Sequence, residues 1–406
     1  MKNLFLFTSL LSATFFISCS SDDDQAILEN NIETPETYKF MRDGESTVNF
    51  NGQTTRILMA GETARAFTDF DNTTEASLLA MFNHEAGNDD FSDATLNASG
   101  KNLRSKCAAS YDYFATNTAE SAQIKATFDD YIISQTNEVF PNKMVVASPG
   151  ISGQIADGDK TRYVNAKGLE YNQAFAKGII GALMTDQMLN NYLSTSVLDE
   201  GDNRENNDNG ITEENKNYTT MEHKWDEAYG YLYGTSANPE NPNLTIGDDD
   251  KFLNEYVGRV NDNSDFSTIA ADIWNAFKLG RAAIVAKDYE VRDAQAAIIR
   301  EKVSTVLAVR GIFYLQVGKN KIAEGNREGS FHALSEAYGF VYSLRFARNS
   351  ESATPLFTRN EVDTLLAMLM DSSENGFWSV TPETIDQVSE AIATKFDFTV
   401  AQAATN

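Results

Sequence analysis

The chain reads His223-Lys-Trp-Asp-Glu-Ala-Tyr-Gly-Tyr-Leu-Tyr233 and repeats the pattern as His332-Ala-Leu-Ser-Glu-Ala-Tyr-Gly-Phe-Val-Tyr342. The two stretches lie 109 positions apart, and His, Glu, Ala, Tyr, Gly and the final Tyr are identical in both. A repeat of this length at one fixed offset predicts two copies of one supersecondary unit. We therefore expect a fold with two related halves.

Helical patterns surround both copies. The 406-residue chain has only seven prolines, and apolar residues recur at helical spacing before each copy. Long helices are predicted over about 163–194 and 294–318, each followed by a polar loop and a motif helix. The predicted fold class is all-α, with two pseudo-symmetric helical bundles spanning about 163–234 and 294–343. Further helices are expected near residues 62–70, 74–85, 101–138, 266–286, 360–370 and 382–395.

A small β element is expected near the start of this body. Residues 46–58 alternate apolar and polar side chains, and Asn51-Gly52 is a turn signal inside them. This pattern predicts a small N-terminal β-hairpin. The stretch from Val145 to Arg162 contains Pro149-Gly150 and is predicted to be an irregular connection.

The N-terminus resembles a bacterial lipoprotein signal. A basic start is followed by an apolar run from Leu4 to Ile17, which is short for a membrane span, and then by Ser18-Cys19. The resemblance implies that residues 1–18 are a signal peptide and that Cys19 carries the lipid. A plain secretory peptide or a membrane anchor fits less well, because the apolar run ends at a cysteine and then turns acidic.

The residues behind Cys19 indicate where the protein resides. Ser20-Ser-Asp-Asp-Asp24 is similar to the export signal of some Gram-negative surface lipoproteins, which implies an outer-membrane position facing the cell exterior. Residues 19–37 are polar and acidic, so they predict a disordered tether. The helical domain is then expected over residues 38–406.

Composition narrows the partners. The net charge of −26 argues against nucleic acid, because phosphates would be repelled, whereas cations and basic partners remain possible. Acidity of this kind also serves solubility at a cell surface. With Cys19 lipidated, Cys107 is the only other cysteine, so stability is expected to come from the core rather than from a disulfide.

The repeated motif has two chemical interpretations. A histidine and a glutamate four residues apart share one helix face, which applies to His223 with Glu227 and to His332 with Glu336. If the halves meet, two imidazoles and two carboxylates converge into a site for a transition metal such as iron or zinc. Alternatively, each His and Glu bond one another while Ala, Tyr and Gly provide a close helix contact. The second reading ranks ahead of the first, and both rank ahead of general-base catalysis.

The duplicated helical body and the helix-borne histidine resemble the imelysin-like proteins, exported bacterial proteins with two related helical bundles and a Gly-x-His-x-x-Glu motif. Carried over, the motif places its histidine on His223 and its acidic position on Asp226. Met221 stands where the motif has Gly, and Glu227 is an alternative source of the carboxylate. The resemblance implies a role in iron acquisition and metal binding. A closer likeness is to an uncharacterised set of surface lipoproteins, carried by Tyr38-Lys-Phe-Met-Arg-Asp-Gly, Gly52-Gln-Thr-Thr-Arg56 and the first motif.

Other polar features allow simpler explanations. Asp248-Asp-Asp250 either holds a cation or caps a helix that starts near Lys251, and capping is favoured. His84 is expected at the surface. Asp226 and Arg281 are additional site residues of the predicted metal site.

These features predict a surface-exposed lipoprotein that binds a metal, a ligand or a receptor in iron acquisition without enzymatic activity. The alternatives are a metal-dependent, peptidase-like hydrolase and a structural or adhesin-like surface protein. The expected partners are the membrane, through Cys19, and an outer-membrane receptor. No catalytic residue is assigned.

Overall fold

The computed structural model of the chain describes residues 32–370 and 375–405. The predicted signal peptide, Cys19 and the tether as far as Asn31 lie outside the described residues. Helices dominate the described part, and its strands form two antiparallel two-stranded sheets. The predicted all-α class with a small N-terminal β-hairpin is therefore confirmed.

The N-terminal hairpin pairs β1 (Met41–Arg42) with β2 (Glu45–Ser46). Its turn is Asp43-Gly44, whose residues both adopt the left-handed conformation, with φ of 54° and 85°. A tight turn between antiparallel strands favours this residue pair. The hairpin therefore lies upstream of the predicted turn at Asn51-Gly52.

Asn51-Gly52 instead begins the helix α1 (Asn51–Ala66). The alternation that suggested a strand covers only a few residues, whereas burial at helical spacing runs through the whole segment. The residues that show this spacing are Gln53, Arg56, Ile57, Ala60 and Thr63.

Shorter helices replace the long helix predicted over 101–138. Ala108 adopts a left-handed conformation, with φ of 45°, and its N–H donates to the carbonyl of Ala182 at 2.7 Å. Residues 101–110 form turns and irregular structure, and the first helix of this stretch begins at Tyr111. The helices within this stretch are α4 (Tyr111–Phe114) and α5 (Thr118–Ser134), which continues as a π-helical turn at Gln135–Val139. Before this stretch lie α2 (Glu75–Phe82) and α3 (Ala94–Asn97).

The connection predicted as irregular contains a second hairpin, β3 (Gly153–Asp157) and β4 (Lys160–Val164). Gly153 approaches the carbonyl of Val145 so closely that a Cβ would lie 2.2 Å from its oxygen. Because β4 extends to Val164, the following helix cannot begin at 163 as predicted.

That helix, α6 (Tyr171–Ile179), continues in π-helical form through Ile180–Thr185 and Met188–Tyr192. The hydroxyl of Ser343 lies at the transition. It donates to the carbonyl of Lys177 at 2.7 Å and accepts the N–H of Gly181 at 3.1 Å. A side chain inserted into the hydrogen-bond ladder accounts for the change of helix type.

The first motif helix is α9 (Thr220–Tyr233), which follows α7 (Thr195–Leu198) and α8 (Asn203–Asp208). A capping box fixes its start, because Thr219 Oγ1 accepts the N–H of Glu222 while Glu222 Oε2 accepts the N–H of Thr219. The polar loop predicted between the first long helix and this motif helix is partly helical, because it contains α8.

The second motif helix is α13 (Phe331–Ser343), which packs against the 35-residue helix α12 (Tyr289–Ala323). At 1.5 Å per residue, α12 is about 50 Å long, and several other helices pack against it. It also contacts α10, α11, α15 and α16. The remaining helices are α10 (Leu253–Asn261), α11 (Ile269–Ala286), α14 (Arg359–Leu369), α15 (Pro382–Ala393) and α16 (Val400–Ala403).

The two motif helices have different main partners. Helix α9 packs on the π-helical turn Met188–Tyr192, on α1 and on α11, while α13 packs on α6 and α12. Descent of the two halves from one duplicated unit stays a prediction. Within residues 32–370 and 375–405, no helix has both the length and the apolar character needed to cross a membrane.

Candidate functional site

A buried ionic network lies on the first motif helix. Glu222, in the first turn of α9, accepts hydrogen bonds from Arg281 Nη1 at 3.2 Å and from both terminal nitrogens of Arg42 at 2.9 and 3.0 Å. One turn later, Asp226 Oδ1 accepts from Arg281 Nε at 3.1 Å and from the Tyr38 hydroxyl at 2.7 Å. The side chains of Arg281 and Asp226 are completely buried.

The network fastens the N-terminal hairpin to the body. Arg281 Nη2 donates to Thr47 Oγ1 at 3.0 Å, and its guanidinium lies over the Phe40 ring. The Tyr38 ring stacks on Tyr229 with centroids 3.6 Å apart and an angle of 6°. One arginine from α11 thus joins α9 to the segment that leads from the predicted tether.

Charge balance explains how the network tolerates burial. Burial raises the pKa of Asp226 to about 6, although Arg281 opposes the shift. Burial would likewise raise the pKa of Glu222, but Arg281 and Arg42 hold it below its ordinary value. The pKa of Arg281 is raised because its two carboxylate neighbours outweigh the effect of burial. The two additional predicted site residues, Asp226 and Arg281, are therefore brought together in a mutually satisfied cluster.

His223 and Glu227 do not form the expected pair. The His223 ring stacks on Tyr218 with centroids 4.6 Å apart, and its Nδ1 is buried without a hydrogen-bond partner. Glu227 instead accepts from Gln53 Nε2 at 3.0 Å and lies 3.6 Å from Lys224 Nζ. In the first copy, the glutamate serves the contact with α1 rather than orienting the histidine.

In the second copy the histidine and glutamate do approach each other. His332 Nε2 lies 3.7 Å from Glu336 Oε2, and its Nδ1 lies 3.0 Å from Glu170 Oε1. Glu336 is also 3.4 Å from Lys177 Nζ, and the Tyr256 hydroxyl donates to it at 3.5 Å. Each carboxylate of this cluster therefore lies beside a basic side chain.

The predicted metal ligands of the first copy and those of the second thus have separate sets of partners. No group of three or more His, Cys, Asp or Glu side chains that could hold a metal occurs among residues 32–370 and 375–405. The iron or zinc site stays a prediction for which the described residues provide no assembled ligand set.

In both copies the motif glycine lies at a close helix contact. A Cβ on Gly230 would lie 2.4 Å from Phe50 Cβ, and one on Gly339 would lie 2.5 Å from Lys177 Cβ. In each copy the partner helix also supplies the side chain that meets the glutamate, which is Gln53 for the first copy and Lys177 for the second. The close helix contact in the packing interpretation therefore has direct geometric support at both glycines, whereas the His–Glu bond that it also expected is not formed by His223 and Glu227.

A cleft of about 670 Å³ lies between α1 and α6, next to the turn that precedes α10. Leu58 and Gly61 of α1 and Phe252 of the turn form part of its apolar wall, and Leu58 is 46% exposed. Lys177 lies in the lining as well, so the second motif cluster reaches the cleft through its pairing with Glu336.

The turn beside the cleft contains the three consecutive aspartates. Asp250 accepts the N–H of Phe252 at 2.8 Å and the Thr235 hydroxyl at 3.1 Å. Burial, with the charge of Asp249, raises the pKa of Asp250 to about 7. Helix α10 begins at Leu253 and has no side-chain cap, so the prediction that these aspartates cap a helix starting near Lys251 is wrong.

Sequence reasoning missed parts of this site. Lys177 and Gly61 lie in ordinary helical stretches without a motif, and only the fold brings them beside Asp250. His84 was expected at the surface, yet it is 2% exposed and its Nδ1 lies 2.6 Å from Asp90. The adjacent acidic residues Asp89-Asp90 were the available signal for that pair.

Comparisons with known proteins give a family but no activity. A search of curated proteins and a search of solved structures each gave no match. Residues 35–399 match a family described as a domain of unknown function, DUF4856. This match covers nearly the whole described part and includes both motifs, the buried network and the cleft. The chain therefore belongs to the DUF4856 family.

Proposed function

We propose that the protein is a lipid-anchored binding protein on the outer face of the outer membrane, which takes a small ligand into the cleft between α1 and α6. The observation that carries the proposal is the cleft itself. Its volume of about 670 Å³ is within the range of small-molecule sites. Its lining combines apolar side chains with polar and charged groups, which can orient a bound ligand.

Gly61 supports this assignment. A glycine inside a helix costs roughly 1 kcal/mol relative to alanine, so a packing or functional reason is expected for it. Packing supplies the reason at Gly230 and Gly339, but a Cβ on Gly61 would meet nothing closer than Arg65 Nη1 at 3.6 Å. In the cleft wall, a missing side chain instead leaves room for an occupant.

The proposal is for binding rather than catalysis. Lys177, the basic residue that α6 contributes to the cleft lining, lies 3.4 Å from Glu336 and over the Tyr256 ring. A lysine held in this way serves to position neighbouring groups. Iron acquisition, as the process served, is supported by the resemblance to imelysin-like proteins, and the lipid anchor by Ser18-Cys19 and the residues around it.

The cleft is tested by filling it. Thermal shift of the purified domain would be measured against a panel of haemin, ferric citrate, amino acids, short peptides, sugars, fatty acids and alkylamines. At least one compound should raise the melting temperature of the wild type. Gly61→Leu should abolish that shift because its side chain occupies the cleft.

The matched control is Gly100→Leu, since a Cβ there meets nothing within 4 Å and Gly100 does not line the cleft. It should retain the wild-type shift. A panel without any stabilising compound, or a shift that survives Gly61→Leu, would contradict ligand binding in this cleft.

The location is tested on intact cells. Cys19→Ala should release the protein in soluble form. Alanine at Asp22, Asp23 and Asp24 together should leave it membrane-bound but protected from added protease. Equal protease sensitivity of this variant and the wild type would show that these aspartates do not direct surface export.

A further inference from the structure

The side chains that line the cleft carry an excess of negative charge. Five carboxylates line it, from Glu62, Asp93, Asp248, Asp249 and Asp250, against three basic side chains, from Arg65, Lys177 and Lys251. Two of the basic groups already have partners, because Lys177 pairs with Glu336 and Lys251 lies 3.9 Å from Glu255. The cleft therefore has fewer available positive charges than negative ones.

Asp250 is the carboxylate for which this imbalance matters most. Its hydrogen-bond donors are neutral, namely the Thr235 hydroxyl and the Phe252 N–H. Within residues 32–370 and 375–405, no basic side chain lies within ion-pair distance of Asp248, Asp249 or Asp250. A partly buried carboxylate without a cation beside it is a strong attractor for a positively charged group.

The apolar side of the cleft lies next to this carboxylate. Phe252 follows Asp250 by two residues, and Leu58 and Gly61 belong to the α1 wall of the same cleft. A Cβ on Gly61 would lie 4.0 Å from the Phe252 ring, so these two residues border one space. Charge at one end and apolar surface beside it define the ligand class.

We propose that the cleft binds an organic ammonium ligand, with its protonated amino group against Asp250 and its hydrocarbon portion against Leu58, Gly61 and Phe252. This inference rests on the proposed function, because it specifies the ligand of the same cleft. An inorganic cation would leave the apolar wall unused, and an anionic ligand would face the excess of carboxylates.

The proposal implies a pH dependence. Asp250 attracts an ammonium group only when ionised, and its pKa of about 7 places that ionisation near neutrality. The charged groups that share the cleft are Glu62 and Arg65 from α1, Lys177 from α6, Asp93, Asp248, Asp249 and Lys251. An alkylamine stays protonated well above pH 8, so its affinity should rise from pH 6 to pH 8 as Asp250 loses its proton.

The test uses three probes of equal chain length, hexylamine, hexan-1-ol and hexanoate, titrated calorimetrically into the purified domain at pH 8 and low salt. The wild type should bind hexylammonium about tenfold or more tightly than hexanol, and hexanoate least. Asp250→Asn should remove the preference for the amine while leaving hexanol binding unchanged. Asn retains an acceptor for the Phe252 N–H, and circular dichroism would check its fold.

Asp248→Asn is the matched control, because it removes the same charge from an exposed neighbouring residue. It should keep most of the preference for the amine. Equal affinities for amine and alcohol, or a preference that survives Asp250→Asn, would overturn the ammonium assignment. The proposed function would still stand if Gly61→Leu abolished hexanol binding. If none of the three probes binds, the ammonium assignment is overturned, and the wider panel decides separately whether the cleft binds ligands.

Discussion

Arg281 uses one buried guanidinium to hold two carboxylates and the N-terminal hairpin. Its contacts to Glu222, Asp226 and Thr47 occupy Nη1, Nε and Nη2. The arrangement is cooperative, because the arginine makes burial of the carboxylates tolerable and they do the same for the arginine. Removing one partner from a buried ionic group costs more than the intact group contributes.

Arg281→Met should therefore lower the free energy of unfolding by about 3–5 kcal/mol, since Asp226 would be left buried without its cation. It should also loosen the hairpin, which faster amide exchange at residues 41–47 would report. Arg259→Met is the control. Arg259 is 53% exposed and pairs with Glu255 on the surface, so this variant should lose less than about 1 kcal/mol. Similar losses in both variants would contradict a central role for Arg281.

The two motif histidines should respond differently to alanine. His223 has no bonded carboxylate, so His223→Ala should cost about 1 kcal/mol or less from lost stacking on Tyr218. His332→Ala removes the partner of Glu170, whose side chain is 3% exposed, and should cost roughly 1–3 kcal/mol. If each His bonded its Glu in the same way, the two losses would instead be similar.

Chemical denaturation and elemental analysis of both variants would distinguish the hypothesis that the motif serves helix packing from the hypothesis that it binds a metal. Packing predicts unequal stability losses and no bound metal to lose. A shared metal site predicts that the wild type carries iron or zinc and that both variants lose it together. Stoichiometric metal in the wild type that disappears in both variants would refute the packing reading.

At the scale of elements, the repeated motif predicted two close helix contacts but not which side chains meet at them. Sequence placed helices at α9 and α13 because helix patterns and turn residues are local signals. It could not pair Glu227 with Gln53 or Glu336 with Lys177, since these contacts depend on which helices cross. The cleft was equally hidden, because α1 and α6 are far apart in the chain.

The long helix predicted from residue 163 differs from the structure in its start and in its helix type. The long helix predicted from 163 starts at Tyr171 because the preceding residues form β4. Its later part is π-helical because Ser343, more than 150 residues away, bonds into its ladder. The hairpin turn at Gly158-Asp159 is a local signal for the first difference, whereas the second depends on a residue distant in the sequence.

Alanine substitutions at three glycines should distinguish the two glycines at helix crossings from the one in the cleft wall. Gly230→Ala and Gly339→Ala should each destabilise by about 1–3 kcal/mol, because the new Cβ would lie 2.4 or 2.5 Å from a side chain of the crossing helix. Gly61→Ala should instead stabilise by about 0.5–1 kcal/mol, since the helix gains alanine propensity without a clash. Urea denaturation would measure all three, and destabilisation by Gly61→Ala would show that the open wall is a packing requirement.

At the scale of the molecule, the N-terminal attachment and the cleft lie on different parts of one helical body. Tyr38 and Arg42 attach the start of the domain to α9 through buried polar contacts. The predicted tether ends just before them. Under the proposed lipid anchoring, a pull on the N-terminus would reach the Arg281 network before it reaches α1, which forms one wall of the cleft.

The whole molecule should be most stable under mildly acidic conditions. Burial raises the pKa of Asp226 to about 6 and that of Asp250 to about 7, and it also raises the pKa of Asp186. In the unfolded chain these carboxyls titrate near 4. Between about pH 4 and 7 the folded protein therefore holds more protons than the unfolded chain, so the free energy of unfolding falls as pH rises. Carboxyls with lowered pKa values, such as Glu222 and Glu361, oppose this trend only below about pH 4.5.

The melting temperature should accordingly be higher near pH 5 than at pH 8. Self-repulsion within a chain of net charge −26 acts in the same direction, so a matched pair of variants is needed to isolate the buried carboxyls. Asp250→Asn should flatten the slope and gain about 1–3 kcal/mol at pH 8, because it removes a charge from a largely desolvated position. Asp248→Asn removes the same charge from an exposed position and should leave the slope nearly unchanged. If both variants had the same slope, general charge repulsion rather than burial of Asp250 would govern the response to pH.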